Sequence, residues 1–326
     1  VIRKTRGAAK AAPSSPANAA DAELPEVSVS DDGDVRHLHL GTPWIQGSMR
    51  IREPFEIELE YVQRMMGWLL FMEPASVAGR HAMQLGLGAA AITKFCHKKL
   101  RMRTTAIELN PQVLAVCRSW FKLPPDSDTL RVVLADAAQE IRKSQWLGTV
   151  DALAVDLYDH DAAAPVLDSA EFYADCRNLL TEDGIMTVNL FGRTSSYERS
   201  LARMAEAFGE EAMWAFRPTR EGNTVVLAQR TPRALDPAAL QAASAQVQAR
   251  WDLPTTRWPK IFVRPGRAGW PGREAGRLTI GRSSASGPTP CPTRPPPHSP
   301  QPPSLRAILR GPWTGAGWCS GCRPTA

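Results

Sequence analysis

Four short apolar runs in the middle of the chain each end in residues that can do chemistry. The first is followed by Gly86-Leu87-Gly88, where missing side chains let backbone N–H groups and the start of the next helix approach a ligand closely. The second ends at Glu108, 22 residues beyond Gly86. A carboxylate at that spacing can accept hydrogen bonds from both hydroxyls of a ribose. The third is followed by Asp136, suited to accept from an adenine amino group, and the fourth by Asp156-Leu157-Tyr158-Asp159-His160. Two acids three residues apart at the end of so apolar a strand suit a cationic ligand or a proton transfer. Each feature alone has a plainer reading: glycines after a strand make turns, and Glu108 and Asp136 could cap the helices behind them. Four consecutive strand ends carrying glycine or acid point together to a nucleoside-binding site.

Such residues meet only if the strand ends lie side by side. The periodicity predicts strands at 81–85, 104–107, 131–134, 152–155 and 185–190, each followed by a helix, at 89–98, 111–120, 137–143, 169–179 and 196–208. Two closing strands, 213–217 and 224–229, read as an antiparallel pair. Strand and helix in alternation give a parallel sheet covered on both faces, with its ligand crevice beyond the carboxyl ends of the strands. Upstream, 35–40 alternates as a strand, 41–46 turns, 48–51 pairs back, and 56–71 reads as one helix with Ile57, Tyr61, Met65, Trp68 and Leu69 on a single face. The expected fold is α/β and Rossmann-like: a mostly parallel sheet with an antiparallel last strand, a small N-terminal β element, and disordered ends. The expected organisation is a disordered segment over 1–30, the β element plus helix over 31–72, the nucleoside-binding domain over 73–262, and a Pro/Arg/Gly-rich tail over 263–326. The tail lacks Lys, Asp, Asn, Tyr, Phe and Met, a composition that also suits out-of-frame translation of a GC-rich gene.

Charge narrows the partners. The formal net charge is +6, yet residues 1–20 and 264–326 carry +4 and +8, which leaves −6 for 21–263. A mildly acidic core argues against a nucleic-acid surface. No apolar run approaches the roughly 20 residues of a membrane helix, so a cytoplasmic protein is expected. Cys96, Cys117 and Cys176 stand singly in apolar surroundings, as reduced core cysteines do. The lone Cys319-x-x-Cys322 has no second pair, and His37, His39, His81, His97 and His160 have no metal-ligand spacing, so no metal is expected.

The strand-end residues resemble those of the spermidine synthase family, the polyamine aminopropyltransferases, over roughly residues 35–230. That resemblance implies the class I methyltransferase fold and a cofactor, decarboxylated S-adenosylmethionine, whose aminopropyl group passes to a small-molecule amine. It implies a cofactor cradle of Gly86, Leu87 and Gly88, with Glu108 and Leu109 at the ribose, Asp136 and Ala137 at the adenine, and Gln46 at the amino-acid end. Asp156 would take a proton from the attacking nitrogen and Asp159 would hold a cationic amine, with Tyr61, Gln63, Tyr158 and Arg220 on the substrate side. A homodimer is implied as well. The chain departs from the family pattern at Ala89, where the family has Asp, at Arg220, where it has Tyr, and in the loop after Asp156, which lacks the family's Ser-Ser and Pro. These departures leave two other functions open: a methyltransferase using intact S-adenosylmethionine, and a catalytically silent nucleoside-binding protein.

Overall fold

Residues 24–157, 167–191 and 195–264 are described by the computed structural model. Three antiparallel strands come first, β1 (Val27–Asp32), β2 (Val35–Leu40) and β3 (Gly47–Arg50), in the order β1-β2-β3. The first reversal turns on Gly33, whose φ of +59° is cheap only for glycine. The small β element is therefore present and one strand larger than expected, because residues 27–30, assigned above to a disordered segment, pair with β2. Alternating polar residues in β1 hide its strand character, and only Val27 and Val29 are apolar on its packed face.

The helix expected over 56–71 is shorter and tighter. Helix α1 spans Glu60–Met65 and continues as a 3₁₀ helix over Met66–Phe71, while Leu59 before it is extended. Met66–Phe71 is buried on every side, and Gly67 lets the ring of Phe216 approach to 2.8 Å of where a Cβ would stand. An amphipathic stripe has no meaning for a segment enclosed all round, which is why its period misled.

The main sheet contains β4 (His81–Leu85), β5 (Arg103–Glu108), β6 (Leu130–Leu134), β7 (Val150–Val155), β8 (Leu180–Phe191), β9 (Met213–Phe216), β10 (Asn223–Gln229) and β11 (Phe262–Val263). Its order is β11-β9-β10-β8-β7-β4-β5-β6. The five strands from β8 to β6 are parallel, and β10, β9 and β11 pair antiparallel. Strand order reverses between β4 and β7, the position where open α/β sheets hold ligands.

The intervening helices are α2 (Ala91–Lys94), which runs on as a π-helical turn over Phe95–Lys99, then α3 (Pro111–Trp120), α4 (Ala137–Glu140), α5 (Ala170–Leu179), α6 (Ser195–Phe208) and α7 (Pro237–Trp251). Helix α2 starts two residues later than expected because Ala90 adopts the left-handed conformation, φ 57°, as it leaves the glycine loop. Helix α4 stops at Glu140 rather than Lys143, and β8 begins at Leu180 rather than Ile185, with Gly184 inside it at a register shift against β7. Helix α7 escaped the sequence reading, although Asp236 caps it, Pro237 opens it, and Leu240, Val247 and Trp251 recur at helical spacing.

The strands divide their side chains between two faces. Ala152, Ala154, Ile185, Val225 and Leu227 face α1 and α7, while Leu153, Val155, Met186, Val226 and Ala228 face α5 and α6. Burial on both faces explains the continuous apolar runs. The three cysteines named as core residues are free, buried thiols. No helix among the described residues is long and apolar enough to cross a membrane.

Among the charged side chains buried in the described residues, Lys94 is the least exposed. Lys94 on α2 is 1% exposed, its Nζ donates to the Phe121 carbonyl at 2.7 Å, and burial pushes its pKa down to about 8. The unfolded chain then binds more protons than the folded one from about pH 8 up to the ordinary lysine value, so this group's contribution to stability rises with pH across that window. Lys94→Met should therefore gain on the wild type below pH 8 and lose that advantage, of about 3 kcal/mol at most, by pH 10. Urea unfolding of both proteins from pH 7 to pH 10 reads this directly, and a constant difference would contradict it.

Candidate active site

The residues after β4 and β7 meet at the reversal of strand order. Gly86 leaves β4 with φ +83°, and a Cβ on it would stand 2.3 Å from the carbonyl oxygen of Asp156. Nothing but glycine fits there. Gly88, at φ +50°, passes beneath the carbonyl of Gln46, and the added Cβ would lie 3.2 Å from it. On the opposite side Gly47 is jammed against Ala89, 2.6 Å from a Cβ to the Ala89 backbone nitrogen and to its Cβ. Thus β3 and the glycine loop touch backbone to backbone.

Between them lies a narrow hollow, partly open to solvent, lined by Gln46, Gly47, Ser48, Leu59, Tyr61, Leu87, Gly88, Ala89 and Asp156 among others. Asp156 is the one carboxylate among its described lining residues, which include no lysine, arginine or histidine. Its Oδ1 accepts from Asn189 Nδ2 at 3.0 Å and its Oδ2 from the Tyr61 hydroxyl at 3.3 Å. Protein surrounds the carboxyl while part of the residue stays open, and this burial raises its pKa above the usual carboxylate range. The Asn189 and Tyr61 hydrogen bonds favour the ionised form and pull the other way.

Glu108 closes β5. Its Oε2 accepts from the Leu87 backbone N–H at 2.8 Å and its Oε1 from that of Asn110 at 2.8 Å. Burial raises its pKa as well, opposed by the N–H groups of Asn110, Leu87 and Leu109. The helix-cap reading of Glu108 fails, because Asn110 caps α3. For Asp136 the cap is real: its Oδ1 accepts from Ala138 N–H at 2.9 Å at the start of α4. Neither acid lines the hollow, although Glu108 is bonded to Leu87, which does, and the Ala135 N–H beside Asp136 donates to the Glu108 carbonyl at 2.9 Å. Ala137 is buried behind the cap, and Leu109 is 58% exposed beside Glu108.

Four further expected site residues do not reach the hollow or cannot be placed. Gln63 spends its amide on the Ile57 carbonyl at 2.8 Å, because it faces the chain entering α1. Arg220 is exposed on the turn between β9 and β10. Tyr158 and Asp159 lie outside the described residues. Three other residues support the site and were missed. Gln84 ties α2 to the loop, its Oε1 accepting from Thr93 Oγ1 at 2.6 Å and its Nε2 donating to the Gly86 carbonyl at 2.6 Å. Asn189 orients Asp156, and Asn223 Nδ2 donates to Asn189 Oδ1 at 3.1 Å. The available signal was a polar amide inside an apolar strand, as in Met83-Gln84-Leu85 and Val188-Asn189-Leu190.

No family model matches the chain. It is 34% identical over 212 residues, 64% of its own length and 78% of the relative's, to the polyamine aminopropyltransferase of Neisseria meningitidis serogroup A. To the polyamine aminopropyltransferase of Chromobacterium violaceum it is 31% identical over 232 residues, 71% and 86% of the two lengths. Among solved structures its fold is similar to a probable spermidine synthase from Corynebacterium glutamicum, with TM-score 0.55, 19% identity, and 67% of this chain and 83% of that one covered. It is similar also to human methyltransferase-like protein 13 in complex with SAH, with TM-score 0.54, 20% identity, and 60% and 94% covered. These two structures speak for the methyltransferase-type fold alone. Likeness to curated relatives sustained over most of both chains bears out the resemblance read from the strand ends, and the protein belongs to the polyamine aminopropyltransferase family.

Proposed function

We propose that this protein transfers an aminopropyl group from decarboxylated S-adenosylmethionine to a nitrogen of a small amine. The observation that carries the reading is Asp156, the single carboxylate among the described residues of the hollow, set beside the Gly86 loop at the strand-order reversal. The surroundings suit an adenosyl sulfonium. Gly86 and Gly88 bare the backbone, and Glu108, with about four lone-pair sites and backbone donors on both oxygens, keeps capacity for ribose hydroxyls.

When bound, the donor supplies a carbon made electrophilic by its positively charged sulfur. Diamines are protonated near pH 7, so the chain must present a nitrogen with a free lone pair. Asp156 accepts the proton as the nitrogen forms its bond to carbon, and the electrons of the broken carbon–sulfur bond stay on sulfur, giving methylthioadenosine. Tyr61 from α1 and Asn189 from β8 hold the two carboxylate oxygens in place for that transfer.

Donor choice follows from charge. Intact S-adenosylmethionine would bring a second carboxylate toward Asp156, and no lysine or arginine among the described lining residues compensates it. Ala89, 3% exposed and pressed on Gly47, supplies no acid at the place where the family carries one. Among the described lining residues, Asp156 is the one carboxylate available to the donor's ammonium.

The full chain, mixed with decarboxylated S-adenosylmethionine and a panel of diamines, should release methylthioadenosine. Asp156→Asn should lower turnover by about a hundredfold or more. Absence of product with every amine counts against the reading. The acid limb of the kcat/KM profile should fall above the ordinary carboxylate range, since burial raises the Asp156 pKa and activity needs the ionised form. Calorimetry should show the decarboxylated donor binding more tightly than S-adenosylmethionine, and the reverse order would favour a methyltransferase.

A further inference from the structure

Asp156 sits one residue beyond β7, level with Asn189 on β8, since Val155 pairs with Val188. Asn189 pairs in turn with Val225 on β10, which puts Asn223 diagonally across from it on the same face. The side chains follow that geometry. Asn223 Nδ2 donates to Asn189 Oδ1 at 3.1 Å, and Asn189 Nδ2 donates to Asp156 Oδ1 at 3.0 Å.

The direction of this chain is not arbitrary. An ionised carboxylate only accepts, so Asn189 must turn its NH₂ toward Asp156 and its carbonyl toward Asn223. Asn223 must then present its own NH₂. A flipped Asn189 would face the carboxylate with an oxygen, and the donor from Asn223 removes the reason to flip. Asn223 is itself anchored to the turn before β10: its N–H donates to Thr219 Oγ1 at 3.2 Å and its carbonyl accepts from Thr219 N–H at 2.8 Å. Thr219 is 7% exposed, so this anchor is fixed in the protein.

We propose that Asn223 is a positioning residue which, acting through Asn189, holds the Asp156 carboxylate in its proton-accepting orientation and ties it to the turn at Thr219. The groups facing Asp156 are Tyr61 from α1, Asn189 from β8 and the backbone at Gly86 after β4, and no second charged side chain lines the hollow among the described residues. Among the described residues the relay therefore competes with no other ion there. The catalytic consequence rests on the aminopropyl-transfer reading; the hydrogen-bond relay itself does not.

The test is a double-mutant cycle over Asn189→Ala and Asn223→Ala in the full chain, with Asn223→Leu as a variant of nearly unchanged volume. Two readouts are taken. The first is the Asp156 titration in the ligand-free protein by carbon-13 NMR of labelled aspartate, assigned with Asp156→Asn. The second is kcat and KM for the best diamine. Asn189→Ala should raise the Asp156 pKa and lower kcat roughly tenfold, and Asn223→Ala and Asn223→Leu should do the same to a smaller extent, roughly threefold in kcat, with KM little changed. In the Asn189→Ala background, Asn223→Ala should add nothing, because its path to Asp156 is already cut. An Asp156 titration unchanged by both Asn223 variants overturns the proposal, and so do additive effects of the two substitutions. A wild type that makes no product instead overturns the transfer reading, and the NMR arm still decides the relay.

Discussion

The end of β4 and the end of β7 lie against each other because Gly86 has no side chain. A Cβ at Gly86 would stand 2.3 Å from the Asp156 carbonyl oxygen and 3.1 Å from Leu157 Cδ2. The backbone seals this contact, with Gly86 N–H donating to Ile107 and Asp156 N–H donating to Leu85. Three strand ends are thereby fixed at one point, and the glycine loop, the Asp156 carboxylate and Glu108 all take their positions from it. Any larger residue would force the loop away from the crevice that the strand-order reversal opens.

Placing a carboxylate at that point is costly. A polar group buried without partners loses several kcal/mol of hydration, so each oxygen of Asp156 and Glu108 needs a fixed donor. Asp156 draws one from a helix and one from a neighbouring strand, Tyr61 and Asn189. Glu108 draws both from backbone N–H groups, at Leu87 and Asn110. The two solutions differ in consequence. Backbone donors bind Glu108 into the scaffold of the glycine loop, whereas side-chain donors leave Asp156 open toward the hollow and adjustable in its proton affinity.

The small N-terminal sheet completes this arrangement. Leu38 and Met49 pack with Leu87, Ala89 and Ala90, so the sheet is continuous with the core beneath the glycine loop. Gly47 is as small as its contact with Ala89 demands, and both residues line the hollow with Asp156. A Cβ at Gly47 would stand 2.6 Å from the Ala89 nitrogen and Cβ, so it is Gly47 that this contact restricts to glycine.

Much of this was legible in the amino acids. Apolar runs of strand length, Pro111 behind Asn110, Ser169 before α5 and glycines after β4 are local features, and their physical meaning depends on a few neighbouring residues. They sufficed for the alternating α/β order and for the residues at the strand ends. The enclosed segment Met66–Phe71 and the strand Val27–Asp32 were not legible in the same way, because packing and pairing with distant elements, rather than their own period, decide their form, whereas the helix Pro237–Trp251 carried local signals in Asp236, Pro237 and its apolar spacing that escaped the reading. The same holds for the site. Sequence alone presented Asp156 and Glu108 as acids after strands; only the packed sheet made Asn189 and Tyr61 the partners of one, with Asn223 behind Asn189, and the glycine loop the partner of the other. Strand order determines which ends are neighbours, and that order comes from burying both faces of the sheet, a constraint summed over the whole chain that no short stretch contains.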